Sequence, residues 1–181
     1  MQTQQPDAVI EATRQWLERA VIGLNLCPFA RVPYRREQIR YHVSAAQSLD
    51  DLLDELVSEL LHLARTEADS LETTLLIHPQ VLTDFEDFVA FLERADEVID
   101  ALELRGVLQV ASFHPQYQFA DSDAEAIENY TNRAPFPLLH LLREASIERA
   151  VATHPDPDSI YQRNIETLRQ LGRAGWDRLW E

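Results

Sequence analysis

Three apolar runs in this sequence close on the same dipeptide: His78-Pro79, His114-Pro115 and His154-Pro155. Chance placement of six histidines and nine prolines along 181 residues would give fewer than one such pair, so the repetition has a structural cause. Proline brings no N–H to a ladder and drives the residue before it into extended backbone, so each pair reads as the end of a β-strand. The runs are short and apolar or β-branched: Thr73 to Ile77, Val107 to Phe113 and Ala150 to Thr153. A fourth run, Ile39 to Ser44, alternates Ile39, Tyr41 and Val43 with Arg40, His42 and Ser44, the pattern of an edge strand.

Between the runs lie helical stretches. Ser48 with Asp51, Thr83 with Glu86 and Ser122 with Glu125 have the spacing of a capping box, which predicts helix starts there. Leu49, Leu52, Leu53, Leu56, Leu60 and Leu63 form one apolar stripe, and Phe85, Phe88, Leu92, Ala95, Ile99 and Leu102 another; both read as core faces. A leading helix is expected from Asp7 to Ile22, a short one from Ser122 to Tyr130, one opening at Pro137 over Leu138 to Leu142, and a final one from Asp158 to Leu171. This alternation predicts a single α/β domain over residues 1–181, with a small, mainly parallel sheet of four strands and helical crossovers. In such a sheet all three imidazoles share the carboxyl edge, where open α/β sheets bind ligands.

Composition narrows the function classes. A net charge of −15 argues against nucleic acid or an anionic membrane as partner. All sixteen basic residues are arginine, so no lysine is present to act as a Schiff base or general base. The lone cysteine excludes an internal disulfide, no apolar stretch is long enough to span a bilayer, and the first residues lack a signal peptide's charged and apolar regions, so a cytoplasmic protein is expected. Only four glycines occur, none in a GxGxxG or GxxxxGK[ST] loop, so no nucleotide cofactor is expected.

The candidate site starts from His78, His114 and His154. Three imidazoles with an open position suit catalytic zinc, and a carboxylate from Asp121, Asp123, Asp156 or Asp158 in place of one suits iron or manganese. The bland reading is a strand-ending turn in which each imidazole bonds backbone. Cys27, also followed by proline, is a further ligand or nucleophile candidate, or else a small buried hydrophobe. Arg31, Arg35, Arg36 and Arg40 follow its uncharged loop, and Asn132-Arg133 stands in the long connection from Pro115 to Pro135; arginine's planar fork suits a carboxylate or phosphate. Arg35, Arg36, Asn132 and Arg133 are therefore the substrate-binding candidates. The leading expectation is an enzyme acting on a small anionic substrate at this histidine-rich edge, with His78, His114, His154 and Cys27 as catalytic or metal-binding groups. The alternatives are a non-catalytic metabolite- or metal-binding protein and an acidic interaction protein with structural histidines. Turnover separates the first two.

The segments GLNLCPFA, TTLLIHP, ASFHPQYQF, NRAPFP and THPDPDSIYQRN, spread from residue 23 to residue 164, resemble those of a bacterial family catalogued as domain of unknown function fourteen-fifteen. The resemblance implies a stand-alone single-domain bacterial protein and carries over no activity, cofactor or catalytic residue.

Overall fold

The computed structural model describes residues 5–181. Helix α1 (Pro6–Trp16) has proline in its first turn, where the missing N–H costs nothing, and continues into a wider π-helical turn, Leu17–Ile22. Gly23 closes that turn because a Cβ there would collide with the Arg19 carbonyl oxygen. A short helix α2 (Arg31–Arg35) leads into β1 (Ile39–Val43). Then α3 (Leu49–Arg65), β2 (Thr73–Ile77), α4 (Phe85–Ala101) and β3 (Leu108–Phe113) alternate as the sequence predicts. A long connection with a 3₁₀ turn at Ile127–Thr131 reaches β4 (Leu138–Arg143), followed by α5 (Glu144–Thr153) and α6 (Ile160–Asp177). No helix among the described residues is long and apolar enough to cross a membrane.

The four strands form one sheet in the order β1-β2-β4-β3. β1 and β2 are parallel, but β4 is antiparallel to both its neighbours, so the sheet is mixed rather than mainly parallel. The connection explains this. A crossover helix carries the chain back to the edge where the last strand began, whereas the segment after β3 stays at the carboxyl edge, held there by the His114 N–H donating to the Asn132 carbonyl. β4 therefore starts beside the ends of β2 and β3, with Leu138 in register with Ile77 and Phe113, and runs the other way.

Several expectations change accordingly. Leu138 to Leu142, expected to open a helix, is β4: Leu138 packs on one face of the sheet, Leu139 and Leu141 on the other. An apolar run buried on both faces has no periodicity that tells strand from helix. Ala150 to Thr153, expected as a strand, ends α5, whose alanine, glutamate and arginine residues favour helix. The helix expected from Ser122 is reduced to the turn at Ile127–Thr131. Ser48 caps α3 as predicted, but α4 is capped by Asp84, which accepts from the Glu86 and Asp87 N–H groups, not by Thr83. Regular geometry in α6 breaks at Gly172 (φ 64°), just past the predicted end at Leu171, and helical residues resume beyond it.

The sheet is covered on both faces. Leu52, Leu56 and Leu60 of α3 and Phe88 and Ala95 of α4 pack on Leu76, Leu108, Leu139 and Leu141. Val9 and Trp16 of α1 and Leu168 and Trp176 of α6 pack on Leu75, Ile77 and Leu138. Thr74 in β2 is fully buried and its hydroxyl has no partner among the described residues. Valine has the same shape without that desolvation cost, so Thr74→Val is expected to raise stability by about 1 kcal/mol, measured by urea unfolding. A loss of stability would show that the hydroxyl is satisfied after all.

Candidate functional site

β2 and β3 point the same way, so His78 and His114, each one residue past its strand, stand at one edge of the sheet with β4 entering between them. Both are buried, at 1% and 0% exposure. The Phe88 ring of α4 meets both imidazoles, with centroids 5.8 Å from His78 and 5.1 Å from His114. Each spends a ring N–H on the same loop: His78 Nδ1 lies 2.8 Å from the Val81 carbonyl oxygen and His114 Nε2 lies 3.2 Å from that of Leu82. A carbonyl only accepts, so these nitrogens carry the protons. His114 Nδ1 then accepts from the Gln116 N–H at 3.0 Å, while the Nε2 lone pair of His78 is buried with no partner among the described residues. Burial pushes His78 down to about 4, opposed by the Val81 carbonyl and reinforced by nearby His114. His114 is also lowered, again chiefly by burial. Both rings are neutral at physiological pH.

Two of the three His-Pro pairs have their cause in a turn of this kind. Proline supplies no N–H, so the first backbone donor after the histidine is two residues on, within reach of Nδ1 in the manner of an Asx turn. His114 takes the Gln116 N–H this way, and His154 takes that of Asp156 at 3.2 Å. Cys27-Pro28 repeats the device with sulfur facing the Phe29 and Ala30 N–H groups.

The structure divides the sequence-predicted site in two. His154 ends α5 instead of a strand, and its ring lies edge-on to Phe29, centroids 5.9 Å apart, in the Cys27 loop. Cys27 is half-buried against the α1/α6 core, away from the α4 face that holds His78 and His114. Burial raises its thiol pKa, with the two backbone N–H groups opposing. Among the described residues, no group of three or more His, Cys, Asp or Glu side chains is placed to hold a metal ion.

The substrate-binding candidates are spread further. Arg133 donates from Nε to the Tyr117 carbonyl at 3.1 Å and from Nη2 to that of Ala124 at 2.6 Å, with its guanidinium 4.5 Å over the Tyr130 ring. Asn132 donates to the Ser112 carbonyl at 3.1 Å. The Asn132 contact binds the long connection to β3, and those of Arg133 tie the connection to itself. Arg35 and Arg36 are exposed at the end of α2, just before β1, and so stand at the amino edge of the sheet, opposite His78 and His114.

The loop that the two histidines hold is itself unusual, because Leu82 is in the left-handed region at φ 59° while 8% exposed. A non-glycine residue there is strained and persists only where its surroundings impose it. Over this loop, between the starts of α3 and α4, lies a cleft of about 430 Å³ lined by Leu49, Leu82, Asp87, Ala90, Phe91 and Arg94, among others. The model of the family described as Protein of unknown function (DUF1415) matches residues 8–178. The chain belongs to that family. No curated protein and no solved structure matches it. In this DUF1415 chain the cleft residues carry no motif, because they meet only when α3 packs against α4. The available signal was Val81-Leu82, an apolar pair stranded between a proline turn and the Asp84 cap.

Proposed function

We propose that this protein binds a small, largely apolar molecule bearing an anionic group in the cleft at the carboxyl edge, between the starts of α3 and α4. One observation carries the reading: two buried neutral histidines fix the consecutive carbonyls of Val81 and Leu82 and so hold a strained loop as the floor of that cleft. Stored strain of this kind clusters at ligand sites, and preorganisation lowers the ordering cost of binding. Leu49, Ala90 and Phe91 supply apolar wall, and Arg94 supplies the cation of a lining that also holds Asp87 and Asp84, the latter spent on capping α4. Arg94 is held by an exposed contact of 3.4 Å to Asp50, a pairing weak enough to yield to a ligand carboxylate. His78 and His114 act here as positioning residues.

Catalysis on such a molecule, with zinc or iron as cofactor, is the second reading, and the unpartnered Nε2 of His78 speaks for it. One experiment addresses both. A thermal-shift panel of carboxylates, zinc and ferrous iron is run on wild type and on Ala90→Trp, which fills the cleft at an exposed helix position. The binding reading expects a carboxylate that raises the wild-type melting temperature but not that of Ala90→Trp. A shift that survives in Ala90→Trp, or no carboxylate shift at all, discards it. A metal shift that Ala90→Trp leaves unchanged and that His78→Phe removes would place a metal at His78, and turnover of a carboxylate with that metal would then establish the second.

A further inference from the structure

The opposite edge of the sheet carries another cleft, of about 370 Å³, between the end of α3 and the start of α5. Three arginines line it, Arg65, Arg143 and Arg149. Among the described residues none of these three forms an ion pair, so in a chain with a net charge of −15 their charge is not spent on a carboxylate. Glu67 is the carboxylate in the lining, it is exposed, and the lining stays net positive.

Arg143 is half-buried and rigid. Its Nε and Nη2 donate to the carbonyls ending α3 and the following turn: Leu63 at 2.9 Å, Thr66 at 2.6 Å and Leu71 at 2.8 Å. Those bonds to the carboxyl end of α3 position the guanidinium and offset part of its charge, but no carboxylate among the described residues pairs with it. Arg149 donates to the Ser146 hydroxyl at 2.9 Å, which turns it back over the first turn of α5. The N-terminus of α5 has no side-chain cap, but Glu144 stands in its first turn and the Glu144 N–H is taken by the Val107 carbonyl, so the positive field of the cleft comes from the arginines. Arginines lining one cleft repel one another, and an anion seated among them converts that repulsion into attraction. A carboxylate offers two oxygens in one plane; a tetrahedral dianion presents oxygens to donors on three sides.

We propose that this cleft is a binding site for a phosphate group, either free or as an ester. It stands at the far edge from the proposed carboxyl-edge cleft and depends on none of its residues.

The test is calorimetric titration of the whole protein with inorganic phosphate and with phenyl phosphate, at constant ionic strength set by chloride. Saturable binding is expected in wild type. The double variant Arg65→Gln/Arg149→Gln is expected to bind at least about tenfold more weakly, the usual scale for losing a charge-assisted contact. Both residues are exposed and neither holds backbone, so the variant is expected to unfold as cooperatively as wild type, which urea titration checks. Ala90→Trp is expected to bind phosphate like wild type. Tighter binding of phenyl phosphate would mark an ester as the occupant, and equal binding free phosphate. No saturation by either probe up to about 10 mM, or undiminished affinity in the double variant, overturns the proposal.

Discussion

Unfolding near pH 5 is expected to take up at least two protons, and the protein is expected to lose much of its stability between pH 6.5 and pH 4. His78 and His140 are both pushed down to about 4 by burial, and His114 is lowered in the same direction. In the unfolded chain each titrates at about 6.5. Below that pH the unfolded state therefore binds more protons than the native state, so stability rises with pH through this window and is lost as pH falls. The full contribution is present above the unfolded value and is gone once pH drops below the folded one. A depression of this size for His78, which is 1% exposed, corresponds to about 3 kcal/mol. His140 adds a smaller share, because the residue is only partly buried; its Nε2 lies 2.8 Å from the Thr73 hydroxyl. Against a typical total of about 5 to 15 kcal/mol, that is a large fraction. Calorimetry in buffers of different ionisation enthalpy counts the protons directly. Replacing His78 with phenylalanine should remove about one of them. A proton uptake near zero at pH 5 would mean that the buried rings are already charged in the native state.

Much of the architecture was legible. Alternating apolar stripes and short β-branched runs gave β1, β2, β3, α3 and α4 nearly to the residue, because each shows one buried face or a run ended by proline. β4 was not legible, since Leu138, Leu139 and Leu141 are buried against two different layers and the run lacks the one-sided pattern that defines an element on its own. Missing that strand also turned the sheet from mixed to parallel and placed His154 at a strand end. For the site, the pairing of His78 with His114 followed from their common position after parallel-running strands. Their partners did not, because Val81 and Leu82 reach the imidazoles through a turn whose left-handed residue is a leucine, with no glycine to announce it. The bond from each Nδ1 to the second following N–H accounts for His114-Pro115 and His154-Pro155 without any ligand. His78 differs: its Nδ1 is turned to Val81 and its other nitrogen is left bare.

His114→Ala is expected to cost about 4 kcal/mol, several times the effect of His154→Ala. The His114 ring is fully buried between Phe85 and Phe88, at 5.3 Å and 5.1 Å between centroids, so truncation leaves a cavity in the α4 layer. Large-to-alanine changes in such sites cost about 3 to 5 kcal/mol. The same change orphans the Gln116 N–H and the Leu82 carbonyl, groups that cost about 1 to 3 kcal/mol when buried without partners. His154 is only partly buried and serves a single turn, the Asp156 N–H, so its removal should stay within about 1 kcal/mol. His114→Asn separates the two roles of the ring. Its side-chain oxygen can still accept the Gln116 N–H in an Asx turn, but it cannot reach Leu82, so it should fall between wild type and alanine. Because the lost Leu82 bond releases the floor of the carboxyl-edge cleft, His114→Asn is also expected to weaken any ligand held there while unfolding cooperatively. Urea titrations of the three variants give the order. An alanine variant of His114 as stable as that of His154 would show that the imidazole does not hold the Val81-Leu82 loop, and the preorganised floor would lose its support.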